Sequence, residues 1–257
     1  MKTSMREKFH ILQRSINILK NWYAYPMLYY GLIKKPEVIF TTKTNRFVKI
    51  RTNTTDLMAF TNVWFFQEYC IPGFEINKND VVIDIGGHIG LFSIYASQFC
   101  TDGKIFCYEP IKENFDLLTK NIELNRLQNV YPFNTAVSKS VDDITIYLND
   151  DEAGHSMFLE NANYRKAKST TLAKIFSDNN IDKCNFLKLD CEGAEYEIID
   201  SLTHDITKKI EKISLEYHHA DTEPSLLIDL KNKLKKEYTL KDYPSNNGMG
   251  ILFAKHV

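Results

Sequence analysis

The segment Val81–Ser93, VVIDIGGHIGLFS, contains residue types that can hold a small ligand. Its apolar run leads into Asp84, and glycines follow at positions 86, 87 and 90. Glycine allows a sharp turn and a close approach of a ligand to the backbone, and the start of the next helix presents free N–H groups. The dinucleotide fingerprint would need glycine at positions 88 and 91, where this chain has His88 and Leu91. The pattern therefore disfavours NAD as the ligand.

A second acidic residue, Glu109, ends the next apolar run, KIFCYEP. A carboxylate at the tip of a second strand can accept hydrogen bonds from both ribose hydroxyls of an adenosine. Asp84, just before the glycines, can orient the ammonium group of a ligand. An ammonium group and a ribose without a pyrophosphate describe S-adenosylmethionine better than NAD or FAD. The predicted cofactor-binding residues are Asp84, Gly86, Gly87, His88, Gly90, Glu109, Asn134, Ala136 and Asp190.

A second group of charged residues lies in the segment FLKLDCEGAEYE. Lys188, Asp190 and Glu192 occupy alternate positions and so share one face of a predicted strand, while Glu195 follows at the start of a helix. So many charges at the carboxyl end of an apolar strand are costly unless they are paired or exposed in a crevice. In an open α/β sheet, that crevice is where ligands bind.

The same reasoning applies to ISLEYHH, where Glu216 and His218 share one face of the next strand and Tyr217 and His219 share the other. If the ligand is S-adenosylmethionine and its methyl group passes to a hydroxyl, the acceptor oxygen must be held in line and its proton removed. Histidine titrates in the right range to take that proton. We predict His218 as the base, with Asp190 or Glu216 orienting it or the substrate. The sequence does not separate His218 from His219 in this role.

Further polar residues are predicted to bind the acceptor. They are Lys188, Glu192, Glu195 and His219 near the strand ends, with His155 and Ser156 from the polar loop at 150–166. Such residues suit a hydroxyl-rich acceptor such as a sugar. The carboxylates and His218 include enough ligands for Mg²⁺, but no spacing demands a metal, and the prediction is a site without one.

These residues need a scaffold that brings strand ends together. The predicted strands are VVIDIG, KIFCYEP, VYPFNTAV, ITIYL, NFLKLD, KISLEYHH, YTLKDY and GILFAKH. Their alternation with helical stretches predicts an α/β fold, a mostly parallel sheet with helices on both faces. The turn-rich segment between the last two strands predicts an antiparallel hairpin that closes one edge.

The residues before this alternation form a separate predicted unit. Their apolar periodicity predicts a helix over about 5–24 that Pro26 ends or bends. A hairpin that turns at 43–45 and a second helix follow, and this unit shows no residue pattern with recognisable chemistry. We therefore divide the chain into an amino-terminal extension, 1–75, and a main domain, 76–257.

Several of these stretches together resemble successive motifs of the FkbM family of S-adenosylmethionine-dependent methyltransferases. They are VVIDIGGHIGLFSIYAS, YEPIKENFDLLTKNIELN, NFLKLDCEGAEYEII and ISLEYHH, within about residues 80–219, and the third is the most specific. The resemblance implies a Rossmann-like class I methyltransferase fold with a seven-stranded sheet, S-adenosylmethionine as donor, and O-methylation of sugar, glycan or polyketide hydroxyls. Family members often carry an acidic residue just after TL; this chain has Ala173 and Lys174 there, and we assign no ligand to that segment.

The composition of the chain limits its expected binding partners and its expected cellular location. Lys and Arg total 32 against 33 Asp and Glu, so no basic field attracts nucleic acid. Gln13, Arg14 and Asn17 interrupt any signal-peptide core, and no run approaches the roughly 20 apolar residues of a membrane span. The five cysteines fit reduced thiols. We expect a cytoplasmic protein whose aromatic amino-terminal helix packs on the core, contacts a second copy in a homodimer, or rests on a bilayer surface.

Three functions fit these residues. The first is an S-adenosylmethionine-dependent O-methyltransferase acting on a small-molecule or glycan hydroxyl, which uses both groups of charged residues. The second is a non-catalytic binding module on the same fold, which leaves the charges around Asp190 without a purpose. The third is a nucleotide-dependent oxidoreductase, which the residues at 88 and 91 disfavour.

Overall fold

The computed structural model describes residues 5–147, 164–245 and 247–257. The helices in these ranges are α1 (Met5–Ile18), α2 (Ala24–Tyr29), α3 (Asp56–Phe60), α4 (Leu91–Ala96), α5 (Lys112–Leu124), α6 (Leu172–Asp178), α7 (Glu195–Ser201), α8 (His204–Thr207) and α9 (Pro224–Leu234), and a π-helical segment, Thr61–Phe66, continues α3. The strands are β1 (Glu37–Thr41), β2 (Phe47–Arg51), β3 (Val81–Ile85), β4 (Lys104–Tyr108), β5 (Val130–Phe133), β6 (Ala136–Val137), β7 (Asp143–Tyr147), β8 (Tyr164–Thr170), β9 (Phe186–Leu189), β10 (Lys212–Tyr217), β11 (Tyr238–Pro244) and β12 (Gly250–His256).

The main sheet has seven strands in the order β11-β12-β10-β9-β3-β4-β5. Strands β10, β9, β3, β4 and β5 run parallel, and β12 runs antiparallel to both of its neighbours. The predicted mostly parallel, seven-stranded Rossmann-like sheet is confirmed. The chain continues from β3 to β4 on one side, whereas β9 lies on the other, and such a reversal opens a crevice at the carboxyl ends of the strands.

The central strands are apolar because both faces of the sheet are covered. Phe186 packs into a core on one face, with α4 and α5, and Leu187 packs into a second core on the opposite face, with α6 and α7. Burial also distinguishes β12, an interior strand of the sheet, from β11. Its residues Leu252 and Phe253 are buried, whereas most of β11 is exposed, and β11 therefore forms the edge.

Two predicted strands differ in the structure. VYPFNTAV splits into β5 and β6 at Asn134, whose side-chain amide donates to the carbonyls of Glu109 at 2.9 Å and Pro110 at 3.0 Å. These bonds draw the chain away from the sheet. ITIYL corresponds to β7, which is absent from the main sheet and forms a small separate sheet with β6 and β8.

The amino-terminal helix is shorter than predicted. α1 ends at Ile18, and Pro26 lies within the first turn of α2, where its missing N–H would have had no helical partner. Leu19 is fully buried, but Phe9 is 70% exposed, so the apolar face predicted for this helix is only partly covered. In the described part of the chain, no helix combines the length and the apolarity that crossing a bilayer requires.

The described part of the extension packs directly on the main domain. Phe40 and Ile50 of the predicted hairpin, now β1 and β2, belong to the same hydrophobic core as Phe92 and Phe186. The boundary between residues 75 and 76 stays a prediction, but the extension covers one face of the sheet with α4 and α5.

The hairpin is also held to α5 by one buried amide. The Asn121 side chain accepts from the Lys49 N–H at 2.7 Å and donates to the carbonyls of Lys49 at 2.9 Å and Ile89 at 3.0 Å. We expect Asn121→Ala to lower the free energy of unfolding by about 2–3 kcal/mol, because it leaves buried backbone groups without partners. Urea denaturation measures this difference.

Asn125, four residues later at the C-cap of the same helix, is the matched control. Its side chain makes the equivalent pair of bonds to Phe47, at 2.8 and 2.6 Å, in a more exposed place. Water can replace the lost partners there, so Asn125→Ala should cost less than about 1 kcal/mol. Equal losses in the two variants would show that the buried amide does not hold the extension in place.

Candidate active site

One cavity lies at the carboxyl ends of the central strands. The glycine turn after β3, the residue after β4, the segment after β9 and the end of β10 all reach it, and residues from the extension complete its wall. The charged and polar side chains that line it include Asn62, Glu68, Tyr69, His88, Glu109, Asn114, Lys188, Asp190, Glu192, Glu216 and His218. The cavity therefore joins both groups of residues that the sequence singles out.

Close packing within the protein requires glycine at positions 86 and 87 of the turn. Gly86 has a φ of +76°, and a Cβ there would lie 1.7 Å from the Asp190 carbonyl oxygen. A Cβ on Gly87 would lie 2.2 Å from the Cys107 Sγ. The sequence predicts that these glycines let a ligand approach, but the closest atoms belong to Asp190, directly after β9, and to Cys107 of β4, and the turn must touch both to place its backbone at the cavity wall.

Asp84 does not reach the cavity. It is fully buried beneath the turn, where its carboxylate accepts from the Ser93 hydroxyl at 2.7 Å and lies 3.3 Å from the Lys188 ammonium. Burial alone would lower the pKa of Lys188, but the charges of Asp84 and Asp190 outweigh it and raise that pKa. Lys188 also donates to the Gly86 carbonyl at 2.7 Å, so this ion pair braces the turn against β9.

Glu109 lines the cavity at the end of β4. One carboxylate oxygen accepts from the His88 N–H and the other from the Ile111 N–H, each at 2.8 Å. The Asn114 side chain is a third hydrogen-bond partner, and because a carboxylate has about four acceptor sites, Glu109 can still accept a hydrogen bond from a hydroxyl group. Burial raises the pKa of Glu109 to about 7, against the lowering effect of these backbone N–H groups and of Lys188.

A network from the extension holds this side of the cavity. Asp56 is fully buried and forms an ion pair with Arg51 at 2.8 Å, and its carboxylate lies 3.4 Å from the His88 ring. Arg51 also donates to the Asn114 side chain at 2.9 Å. Burial lowers the pKa of His88 to about 4, although the nearby charge of Asp56 acts in the opposite direction.

Asp190 and Glu216 are brought together by strand pairing and by a tyrosine. β9 and β10 are paired through Leu189 and Leu215, so the next residue of each strand stands side by side. The Tyr69 hydroxyl lies 2.9 Å from an oxygen of Asp190 and 3.1 Å from an oxygen of Glu216. The sequence analysis missed Tyr69, because nothing in the extension signals that it contacts a residue so distant along the chain.

His218 follows β10 and is held by a buried carboxylate. Glu195 accepts from the His218 backbone N–H at 2.9 Å and lies 3.1 Å from the ring Nδ1. The other ring nitrogen, Nε2, lies 3.5 Å from Glu192 and 4.0 Å from Asp190. Burial alone would lower the pKa of His218, but these carboxylates, Glu195 foremost, raise it to about 10.

With a pKa of about 10, the His218 ring is protonated at neutral pH, and this affects its predicted role as a base. A protonated imidazole has no lone pair to take a proton, so the role of base requires that Nε2 first lose its proton. Burial and mutual repulsion raise the pKa values of the nearby carboxyl groups. The pKa of Glu216 is raised to about 7, that of Glu192 to about 8 and that of Glu68 to about 9. The part of the cavity around Asp190, Glu216 and His218 is thus crowded with acidic groups.

The structure separates the predicted site residues into three sets. Those that line the cavity are Gly86, Gly87, His88, Glu109, Ala136, Lys188, Asp190, Glu192, Glu216 and His218. Those placed elsewhere are Asp84, Gly90, Asn134, Glu195 and His219. Of these, Asp84 forms an ion pair with Lys188, and Glu195 contacts the ring of His218. His155 and Ser156 lie outside the described residues.

Comparison with known proteins bears on what this cavity does. Residues 84–238, more than half of the chain, match the sequence model of a family described as "Methyltransferase FkbM domain". Hexuronic acid methyltransferase AglP of Haloferax volcanii is 25% identical over 161 residues, which cover 63% of this chain and 65% of that protein. Methyltransferase sdnD of Sordaria araneosa is 22% identical over 184 residues, 59% of this chain and 71% of that protein.

A solved structure shares the fold. The crystal structure of methyltransferase FkbM from Methylobacillus flagellatus superposes with a TM-score of 0.53 at 13% sequence identity. The match covers 98% of this chain and 59% of that chain, so the correspondence extends through the amino-terminal extension as well as the main sheet.

Proposed function

The chain belongs to the FkbM methyltransferase family, and from that premise we propose that it methylates a hydroxyl group of a sugar or glycan acceptor, with S-adenosylmethionine bound at the glycine turn. The observation that carries the proposal is the single cavity that joins Glu109 and the turn to Asp190, Glu216 and His218. The relative named as a hexuronic acid methyltransferase supports a sugar as the acceptor class.

The cofactor side of the cavity suits an adenosine. Glu109 retains acceptor capacity for a ribose hydroxyl, and apolar residues beside it, Tyr108, Ile111 and Val137, can pack on an adenine ring. Asp84 is buried under the turn, so the ammonium group of the cofactor would meet backbone carbonyls at the turn instead. When bound, S-adenosylmethionine supplies an electrophilic sulfonium methyl group and leaves as a neutral thioether.

The acceptor side has the chemistry to hold a hydroxyl group and take its proton. Asp190, Glu216 and His218 face the same space, and they are fixed by Tyr69 and Glu195 rather than left to move freely. Rigid placement keeps the acceptor oxygen aligned with the methyl group, which is the main contribution that a methyltransferase makes. The acceptor's proton then passes to this group of side chains as the new O–C bond forms.

For location we propose the cytoplasm, which suits five cysteines that are all free thiols. The near balance of charge, with a formal net charge of −1, supports a small-molecule or glycan acceptor rather than nucleic acid.

The direct test is methyl transfer to candidate acceptors. Purified protein, S-adenosylmethionine and a panel of uronic acids, nucleotide sugars and oligosaccharides should yield S-adenosylhomocysteine together with a methylated product, detected by mass spectrometry. Binding of S-adenosylmethionine without product on any member of the panel would favour a non-catalytic binding module, and no binding at all would contradict the proposal.

The placement of the ribose predicts a pH dependence. Because the pKa of Glu109 is about 7 and hydroxyl donors favour the ionised carboxylate, the affinity for S-adenosylmethionine should rise as pH rises through 7. Between pH 6 and pH 8 the dissociation constant should fall by up to about tenfold, as the ionised fraction of one group increases. Calorimetry across this range measures it.

Glu109→Gln is the matched control, since an amide of the same shape does not ionise. Its dissociation constant should be higher at pH 8, and the part of the pH dependence that belongs to Glu109 should disappear. The cofactor's own amino group titrates in both proteins, so the difference between the two curves isolates the carboxyl group. Parallel curves for the two proteins would place the ribose elsewhere.

A further inference from the structure

Three side chains on the acceptor side of the cavity have the geometry of a metal site. Asp190, Glu216 and His218 each direct one ligand atom into the same space, and these atoms all lie within 4.8 Å of one another. Two ligand atoms on opposite sides of one ion, with metal–ligand distances of about 2.1–2.5 Å, are separated by about 4–5 Å. A single cation can therefore reach all three with small side-chain movements.

The orientation of His218 is an independent indication. The side chain is 4% exposed, and Glu195 holds its Nδ1, which leaves Nε2 directed into the cavity. Among the described residues Nε2 makes no hydrogen bond, and the carboxylate oxygens nearest to it are 3.5 and 4.0 Å away. A buried carboxylate behind one imidazole nitrogen, with the other nitrogen directed at further carboxylate oxygens, is an arrangement that suits a metal-bound histidine.

Among the described residues Glu216 forms no ion pair, and Asp190 shares its two cations, Lys188 and the His218 ring, with other carboxylates. The Tyr69 hydroxyl lies between Asp190 and Glu216, but its single proton can satisfy only one oxygen at a time. Lys188 is 3.6 Å from Asp190, yet it is held more closely by Asp84 and by the Gly86 carbonyl. Two neighbouring carboxylates in a half-buried place are stabilised by a positive charge between them.

We propose that Asp190, Glu216 and His218, the last with loss of its Nε2 proton, bind one divalent cation, for which Mn²⁺ is the best match. Carboxylate oxygen suits Mg²⁺ and Mn²⁺, whereas imidazole suits transition metals, so Mn²⁺ satisfies the mixed set. Three protein ligands leave open coordination positions that face the cavity. Resting on the proposed function, the cation holds the acceptor through its hydroxyl oxygen, and this proposal revises the sequence-based prediction of a site without a metal.

The test is direct measurement of metal binding by the full chain. Protein freed of metal with EDTA is titrated with Mn²⁺, and free Mn²⁺ is followed by its electron paramagnetic resonance signal. One Mn²⁺ per chain is expected, with at least about tenfold weaker binding in Glu216→Gln, Asp190→Asn and His218→Ala. Glu195→Gln should weaken binding about 10- to 100-fold without removing a ligand. Circular dichroism verifies that each variant is folded.

A second histidine–carboxylate pair provides the control. His204 and Glu237 are 2.8 Å apart on another part of the protein, so His204→Ala should bind Mn²⁺ as the unaltered chain does. A wild-type chain that binds no Mn²⁺, or a Glu216→Gln variant that binds it as tightly as wild type, would overturn the proposal.

The same samples separate this proposal from the proposed function. Full methyl transfer in the presence of EDTA would overturn the role of the cation and leave the methyltransferase function intact. Stoichiometric Mn²⁺ binding, lost in the variants, by a protein that binds no S-adenosylmethionine would support the metal site and overturn the placement of the cofactor.

Discussion

Replacing His218 with alanine should lower turnover about 10²–10⁴-fold and leave the affinity for S-adenosylmethionine nearly unchanged. His218 lies in the cavity beside Asp190 and Glu192, in the region where we propose that the acceptor binds, whereas Glu109 and the glycine turn line the region proposed for the cofactor. On that proposal, loss of the imidazole removes a group that contacts the acceptor, or the cation that holds it, but no cofactor contact. Single-turnover rates and calorimetry measure the two quantities separately.

His219 distinguishes this role from a general loss of structure. Its side chain does not line the cavity, and its φ of +59° favours asparagine as the replacement, since asparagine tolerates this backbone region. We expect His219→Asn to retain most of the turnover. If His219→Asn were inactive while His218→Ala remained active, the assignment of these two residues would be reversed.

Replacing Gly86 with alanine should lower the free energy of unfolding by more than about 3 kcal/mol and abolish cofactor binding. The added Cβ would lie 1.7 Å from the Asp190 carbonyl oxygen, which belongs to backbone and cannot rotate away. The turn must then separate from β9, and the cavity wall moves with it. Urea denaturation and cofactor titration both report this change.

Gly31 is the matched control for the backbone conformation. Its φ is +67°, close to that of Gly86, but a Cβ there would meet no atom within 4 Å. Gly31→Ala should therefore cost only the strain of a left-handed conformation, about 1 kcal/mol. If Gly86→Ala were as stable as Gly31→Ala, the close contact between the turn and β9 would not exist in solution.

Local patterns were sufficient for the fold class and for the position of the site. The alternation of apolar strands with helices predicts a parallel sheet, and Glu109 at a strand end predicts a carboxylate at the crevice, which the structure places there. Both inferences depend on residues close together in sequence. Glu216 and His218, two residues apart, both line the cavity, whereas His219 lies beyond the end of β10 with a φ of +59° and does not line it.

Partners across strands could not be predicted in the same way. Asp84 was expected to meet a ligand, but pairing of β3 with β9 sets it beside Lys188, and the two form a buried ion pair. The neighbour of a charged side chain depends on the order and register of strands, which result from packing of the whole sheet. No feature of the segment around Asp84 indicates which distant strand will lie next to it.

The sequence by itself determined the family, the parallel sheet and the set of charged residues at the strand ends. Only the tertiary structure decided how they are held, since Tyr69 of the extension joins Asp190 and Glu216, and Glu195 orients His218. The contacts of Tyr69 form when the extension packs against one face of the sheet. Burial of apolar surface drives that packing, and it is a property of the whole chain rather than of any one segment.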